Sequence, residues 1–318
     1  MNTGVSTVTA NSLHLSGSLM VAAAVVLFLA AHVNDNYSWV DRSWSILPVV
    51  YTWIQIYYTH HEHGGTPTNT SFSAGVSPIS AAALYGFVIT VWGCRLTFNF
   101  FRRGGYSRGS EDYRWNYVRT WRVFAHHPAI WTLFNFAAIS LFQTWLLWAI
   151  TLPVMQFSAA PATAKEVVFA AVMLALIVLE AVCDEQQWRF HQAKGRALGQ
   201  SPYCYGFCVT GVFGYSRHLN VFCEGGIWVM LAVAAQCCGA GSLASWQWIG
   251  CVVLEALTLF STAVITEKLS AEKYAGYAIY QSITPMLLPA ISSTTDEVLF
   301  QLESKRIWKS DEKRSPQK

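Results

Sequence analysis

The sequence predicts an all-α membrane protein, a polytopic helix bundle with about seven transmembrane helices. Of its 318 residues, 53% are hydrophobic and only 12% are charged, whereas soluble domains carry about 25% charged residues. Mean hydropathy is +0.31. The 14 Trp, 14 Tyr and 18 Phe suit the aromatic belts at membrane surfaces. Almost nothing remains that could form a separate soluble domain.

Apolar windows about 20 residues long are the criterion for a membrane-spanning helix. Seven windows meet or approach this criterion: 18–33, 45–60, 78–100, 130–154, 164–183, 220–240 and 246–266. The second window contains SILPVVYTWIQIYY and is the weakest, because it is aromatic and amphipathic. That window is also compatible with a tilted or partly buried helix.

The distribution of basic residues predicts the orientation of the helices. With seven crossings, the loops 34–44, 101–129 and 184–219 and the tail from 267 lie on one side and hold 19 Lys and Arg. The N-terminus and the remaining loops hold 1. Because basic loops remain on the cytosolic side, we expect a cytosolic tail and an N-terminus that is lumenal or external.

Polar residues recur at steps of three and four positions near the cytosolic ends of three helices. The three sets are Arg95, Asn99 and Arg102; Glu180, Asp184, Gln187 and His191; and Arg217, Asn220 and Glu224. Such steps place the members of each set on one helix face. Ionisable residues in a membrane segment are costly and usually mark a functional site. We therefore predict a shared pocket; buried ion pairs that fix helix packing are the alternative.

The charge around this predicted pocket favours a phosphorylated ligand. Nine basic residues surround its mouth: Arg102, Arg103, Arg108, Arg114, Arg119, Arg189, Lys194, Arg196 and Arg217. Guanidinium groups suit phosphate, although part of this charge faces anionic lipid. No G-x-G-x-x-G or Walker motif occurs, which excludes a soluble nucleotide-binding fold. Cys204 and Cys208 do not match a zinc pattern with His218 and Glu224, and we predict no metal site.

One segment carries a family resemblance. GVFGYSRHLNVFCE (211–224) resembles an element near the C-terminal end of the steroid 5-alpha-reductase superfamily. Four further motifs follow the order of that superfamily: VDRSWS (40–45), WGCRLTFNFFRRGGYSRGSEDYRW (92–115), LEAVCDEQQWRFH (179–191) and YAIYQSITPMLLP (277–289). The chain looks like a branch of the superfamily that is labelled only as a domain of unknown function. The resemblance covers about residues 35–290. It leaves 1–34 as the region of the first helix and 291–318 as a cytosolic tail.

The resemblance implies a membrane reductase that binds NADPH from the cytosolic side and reduces a C=C bond of a sterol or other lipid-like substrate. Asn220 and Glu224 match the residues that hold the nicotinamide end, and Asp184 matches an Asp that contacts the cofactor. The other positions that match the family's cofactor-binding residues are Arg95, Arg103, Tyr215, Arg217 and His218. No nucleic-acid partner is expected. The family habit implies the endoplasmic reticulum.

The chain departs from the family pattern at the catalytic position. The catalytic Tyr of steroid reductases aligns with Trp92, and no Glu matches its partner, since Gln55 is the nearest amide. The family's Pro-Asn-Tyr reads Leu219-Asn220-Val221, and Cys223 replaces Gly. The catalytic residues are therefore unassigned, with Tyr215, Tyr85 and Tyr51 as candidate proton donors.

Two other functions remain open. The first is an S-adenosylmethionine-dependent methyltransferase of the isoprenylcysteine carboxyl methyltransferase type, which has a similar Arg-His-Pro element. The second is a non-catalytic membrane relative that keeps the fold as a binding module. The presence of both Asn220 and Glu224 favours the reductase.

Overall fold

The chain folds as an all-α protein, which confirms the predicted fold class. The computed structural model describes residues 3–62, 79–197, 199–239 and 245–307. Its helices are α1 (Thr3–Asn34), α2 (Trp39–Ser43), α3 (Leu47–Glu62), α4 (Ala81–Arg102), α5 (Tyr113–Arg119), α6 (Arg122–Ala125), α7 (Pro128–Phe134), α8 (Gln143–Ala149), α9 (Ala164–Lys194), α10 (Leu219–Cys238), α11 (Ile249–Phe260), α12 (Glu267–Lys273), α13 (Tyr277–Ile283) and α14 (Thr295–Ser304). Within the described ranges no β-strand occurs.

Two π-helical segments extend the shorter helices into long rods. Asn135–Phe142 joins α7 to α8, and Ser261–Thr266 joins α11 to α12. Single π turns inside helices frequently accompany functional sites. The second segment leads directly into Glu267, the first residue of α12.

Six helical rods in the described residues are long and apolar enough to cross a membrane, so the chain is an integral membrane protein. They are Asn11–Asn34, Ala81–Arg102, Pro128–Gln156, Ala164–Lys194, Leu219–Cys238 and Trp246–Lys273. The predicted window 45–60 forms α3 but is not among the six. Its 16 residues extend roughly 24 Å, less than the apolar thickness of about 30 Å. The sidedness derived from seven crossings stays a prediction.

The chain divides into two compact units. Unit 1 comprises Met1–Leu174 and Trp228–Leu254, and unit 2 comprises Ala175–Ile227 and Glu255–Lys318. The sequence had shown no such boundary, because it falls inside apolar helices. In unit 1, α3 and α4 pack so closely that a Cβ at Gly93 of α4 would lie 2.5 Å from Cγ2 of Val49 in α3.

Unit 2 contains an aromatic core that includes part of the predicted tail. Its buried members are Tyr205, Phe207, Val209, Tyr277, Tyr280, Val298 and Leu302. The last two lie four positions apart on α14, so they face the core from one side of that helix. The helix α14 within the predicted tail is therefore packed structure. The charged end KSDEKRSPQK (309–318) lies outside the described residues.

Candidate functional site

The entrance of α10 is held in place by the segment that follows α13. The amides of Arg217 and His218 donate to the carbonyls of Pro285 and Met286, both at 3.0 Å. The amide of Ala290 donates in turn to the carbonyl of Tyr215 at 2.8 Å. The motif's backbone is therefore docked on both sides just before α10 begins.

Ser216 and Thr294 reinforce this docking with their side chains. The Ser216 hydroxyl lies 2.9 Å from the carbonyl of Leu287 and 3.1 Å from that of Met286. The Thr294 hydroxyl donates to the carbonyl of Gly214 at 2.8 Å. Since Ser216 is fully buried, these bonds replace the water that its hydroxyl loses.

The side chains of Arg217 and His218 converge on one buried carboxylate, Glu267. Arg217 forms a two-point ion pair with it: Nη2 lies 2.6 Å from Oε2 and Nε lies 3.1 Å from Oε1. His218 Nε2 lies 2.6 Å from Oε1. Because a carboxylate only accepts hydrogen bonds, Nε2 carries the proton in this contact. The remaining guanidinium nitrogen, Nη1, donates to the carbonyls of Gln281 and Thr284.

Two further side chains complete the shell around Glu267. Tyr277 OH donates to Oε1 at 2.8 Å, and Gln281 Nε2 donates to Oε2 at 2.9 Å. Burial, followed by the neighbouring Glu267 charge, raises the pKa of Tyr277, so its phenol stays a neutral donor at pH 7. Forked and charge-assisted bonds of this kind are among the strongest in proteins. We call Arg217, His218, Glu267, Tyr277 and Gln281 the Glu267 cluster.

The Glu267 cluster gives Arg217 and His218 an architectural position. The side chain of Arg217 is 7% exposed and that of His218 is 11% exposed. Both had been predicted to face a cofactor. Their polar groups instead contact a buried glutamate and backbone carbonyls. Sequence analysis missed Glu267, although the four-residue step from Tyr277 to Gln281 in YAIYQ was an available signal for a shared polar face.

Four other predicted residues also lie in unit 2. The side chain of Tyr215 is exposed. Its backbone carbonyl accepts the hydrogen bond from the amide of Ala290. Asn220 and Glu224 are half-buried and lie one turn apart at the start of α10. Asp184 is buried on α9, one turn after the buried Glu180. Unit 2 thus holds six of the eight predicted cofactor residues.

Arg95 and Arg103 lie in unit 1, at or near the end of α4. Arg95 is half-buried, and Arg103 is exposed just after the last residue of the helix. Two residues of the predicted polar face of α4 contact each other. Arg102 Nε donates to the buried Asn99 Oδ1 at 3.0 Å. The joining of these residues with the unit 2 set in one pocket stays a prediction.

Two of the motifs that carry the resemblance bind each other in unit 1. Arg42 of VDRSWS donates to the carbonyls of Ser110 at 2.9 Å and Gly105 at 3.2 Å. Trp115 Nε1 returns a bond of 2.9 Å to Asp41 Oδ2. The family order of these motifs therefore corresponds to a direct contact between the segments around 40–45 and 105–115.

The candidate proton donors differ in their surroundings. Tyr85 is fully buried and its hydroxyl donates to the carbonyl of Glu166 at 3.2 Å. The hydroxyl of Tyr51 is also buried, but it has no hydrogen-bond partner within the described residues. Trp92, which was predicted to align with the catalytic Tyr of steroid reductases, is fully buried and packs edge-on against Trp228 with ring centres 4.8 Å apart. Neither Tyr85 nor Trp92 is arranged to give a proton to a ligand.

Comparisons with known proteins cover most of the chain. A family described as a protein of unknown function (DUF1295) matches residues 27–284, a range that includes every predicted site residue. An uncharacterized protein of Schizosaccharomyces pombe, C594.04c, is 30% identical over an alignment of 292 positions that covers 82% of this chain and 75% of that protein. No solved structure matches the chain. The chain belongs to the DUF1295 family.

Proposed function

We propose that the protein is an integral-membrane reductase of the steroid 5-alpha-reductase type, which uses NADPH to reduce a C=C bond of a sterol or other lipid-like substrate. The observation that carries this proposal is the rigid entrance of α10. The Glu267 cluster and the docked backbone at 214–218 fix where the first turns of α10 begin. Asn220 and Glu224 follow directly and lie on one helix face, where a ligand meets preset polar groups.

The residues fit one end of NADPH better than the other. The carboxamide of nicotinamide has both donors and acceptors, which complement an amide such as Asn220 and a carboxylate such as Glu224. Arg217 does not fit a phosphate-binding role, because its guanidinium is committed to Glu267 and two carbonyls. Arg95 and Arg103, the other basic residues that match the family, lie in unit 1, and their phosphate role stays a prediction. When bound, the cofactor would supply a hydride.

In this proposal, Arg217 and His218 do not contact the ligand with their side chains. They fix the backbone at the start of α10, which carries Asn220 and Glu224. The bonds of Arg217 and His218 to Glu267 keep water and lipid out of the space behind the α10 entrance and hold the helix start rigid. Preset polar groups need no rearrangement when charge develops in a reaction. The cofactor site and the C-terminus are proposed to face the cytosol, and the endoplasmic reticulum is the proposed location.

One observation favours a second candidate, a non-catalytic binding module. Trp92 replaces the family's catalytic Tyr and is packed against Trp228 with no exposed surface. Such a protein would keep the cofactor-binding residues Asn220 and Glu224 without turning over a substrate. It would bind NADPH and consume none of it when supplied with lipid.

Thermal stability of the purified protein in detergent tests the proposal. A ligand stabilises the state that binds it, by about 2.7 kcal/mol at a hundred times its Kd. NADPH should therefore raise the melting temperature, whereas S-adenosylmethionine should leave it unchanged. The reverse preference would establish the methyltransferase alternative, and a response to neither ligand would refute the reductase.

A matched pair of variants locates the binding site. Glu224→Gln should abolish the NADPH response in a protein that still folds, as shown by a cooperative melting transition. Glu272→Gln is the control, because Glu272 is exposed on α12 in the same unit. If the two variants responded to NADPH equally, Glu224 would not belong to the site.

A further inference from the structure

Glu255 is an acidic residue in the middle of an apolar helix. It is the sole Asp, Glu, Lys or Arg in the window 246–266, and α11 carries it as part of the spanning rod Trp246–Lys273. An ionisable side chain at such a depth is costly, and its presence usually marks a functional site. Neither the predicted polar stripes nor the Glu267 cluster includes it.

The carboxyl group of Glu255 packs against the backbone of α10 at Gly225. A Cβ at Gly225 would lie 2.6 Å from Glu255 Oε2 and closer still to Oε1, so only glycine leaves room for both oxygens. Gly225 directly follows Glu224, and the charge of Glu224 acts on the Glu255 carboxyl. The carboxyl therefore lies at the predicted nicotinamide end of the site, within unit 2.

Glu255 differs from an ordinary structural glutamate in the hydrogen bonds of its carboxyl group. Its Oε1 is buried and accepts no hydrogen bond from any described residue. A buried carboxylate oxygen without a donor is strongly disfavoured, whereas a neutral carboxylic acid brings its own O–H donor. The side chain as a whole is half-buried, so a ligand is able to reach it.

We propose that Glu255 supplies the proton of the reduction, which rests on the function proposed above. The reduction of a C=C bond adds a hydride to one carbon and a proton to the other. In this step the O–H bond of Glu255 breaks, a C–H bond forms with the electrons of the C=C bond, and Glu255 becomes a carboxylate. A proton from water then restores the acid. The family's catalytic Tyr, absent at Trp92, is not needed in this scheme.

Gly225 has a positioning role in this proposal. It allows the carboxyl to lie flat against α10, one residue from Glu224. Gly225→Ala should displace the Glu255 carboxyl group. The contact between the new Cβ and the two carboxyl oxygens is relieved only if those oxygens move. The variant should therefore reduce turnover while Glu255 itself is still present.

Carbodiimide labelling tests the proposal without a known substrate. Dicyclohexylcarbodiimide enters apolar phases and adds covalently to carboxyl groups that carry a proton. In wild-type protein in lipid nanodiscs, mass spectrometry should find the adduct on Glu255 and not on the exposed Glu272. A water-soluble carbodiimide should show the opposite preference. Absence of the adduct from Glu255 in folded protein would overturn the proposal.

Cofactor binding and turnover separate this proposal from the one on which it rests. Glu255→Gln should bind NADPH within about twofold of wild type, because it keeps the shape of the site. Its NADPH consumption with a lipid extract from cells that lack the protein should fall by about 10²–10⁴-fold, the range for loss of a general acid. Wild-type turnover in this variant would overturn the role of Glu255. Failure of wild-type protein to bind NADPH would instead refute the reductase itself, whatever the labelling result.

Discussion

Two glutamates on the same spanning rod have opposite surroundings. Glu267, at the start of α12, accepts hydrogen bonds from Arg217, His218, Tyr277 and Gln281. Glu255, three turns earlier, has a buried oxygen that no described residue contacts as a donor. A buried carboxylate whose lone pairs are all used stabilises the fold, and nothing remains for a ligand. A carboxyl group with an oxygen that accepts no hydrogen bond is available to react with a ligand. Glu267 therefore has a structural role, whereas Glu255 is the residue that we propose to react.

The largest expected effect is on stability, from Glu267→Gln. The substitution keeps the side-chain volume but removes the charge, so the buried Arg217 guanidinium loses its counter-ion. Removal of one partner of a buried ion pair typically costs about 3–5 kcal/mol. The melting temperature in detergent should fall strongly, with loss of expression as the extreme result. An unchanged melting temperature would show that the Glu267 cluster does not hold the α10 entrance.

A smaller loss is expected from Arg217→Lys, which keeps the charge but not the fork. A lysine ammonium cannot make the paired bonds to both oxygens of Glu267 and also reach the carbonyls of Gln281 and Thr284. We expect about 1–3 kcal/mol of destabilisation, since buried acceptors lose their donors. The measurement is the melting temperature next to that of Arg189→Lys. Arg189 is an exposed arginine paired with Glu185 on α9. Equal effects of the two substitutions would contradict the assignment.

Tyr277→Phe removes a single neutral donor from the Glu267 cluster. The expected cost is about 1 kcal/mol, the usual net value of one buried hydrogen bond. Tyr274→Phe is the matched control, because the Tyr274 hydroxyl is not among the donors to Glu267. A larger loss from the control than from Tyr277→Phe would mean that the Tyr277 bond contributes little.

The smallest stability effect should come from Glu255→Gln. Since Oε1 accepts no bond, the amide replaces the carboxyl without breaking one, and the change should remain within about 0.5 kcal/mol. Melting curves of Glu255→Gln and Glu267→Gln recorded together check it. A loss at Glu255 as large as that at Glu267 would make both residues structural.

Local patterns in the sequence predicted what depends on helical periodicity alone. The apolar windows correspond to six rods, and the four-residue step from Asn220 to Glu224 lies on one face of α10. The packing of α14 was missed. Val298 and Leu302 form an amphipathic pattern too short to distinguish from a tail.

The partner of Arg217 could not be predicted because it lies fifty positions away. Sequence identifies a costly charge in an apolar segment, but not which distant carboxylate neutralises it. The family resemblance assigned Arg217 and His218 to the cofactor but gave no indication that both residues also bind Glu267. Gly225 could not be explained from the sequence for the same reason. The Glu255 carboxyl, which fills the space that a side chain at Gly225 would need, comes from another helix.

In the proposed function, the rigid α10 entrance presents Asn220 and Glu224 to NADPH. The most direct measurement of this contact is a binding titration that follows NADPH fluorescence with wild type, Asn220→Ala and Glu224→Gln. We expect saturable binding to wild type, and affinities at least about tenfold weaker in the variants, since each loses a hydrogen bond to the ligand. Wild-type affinity in both variants, with all three proteins equally stable, would contradict the account.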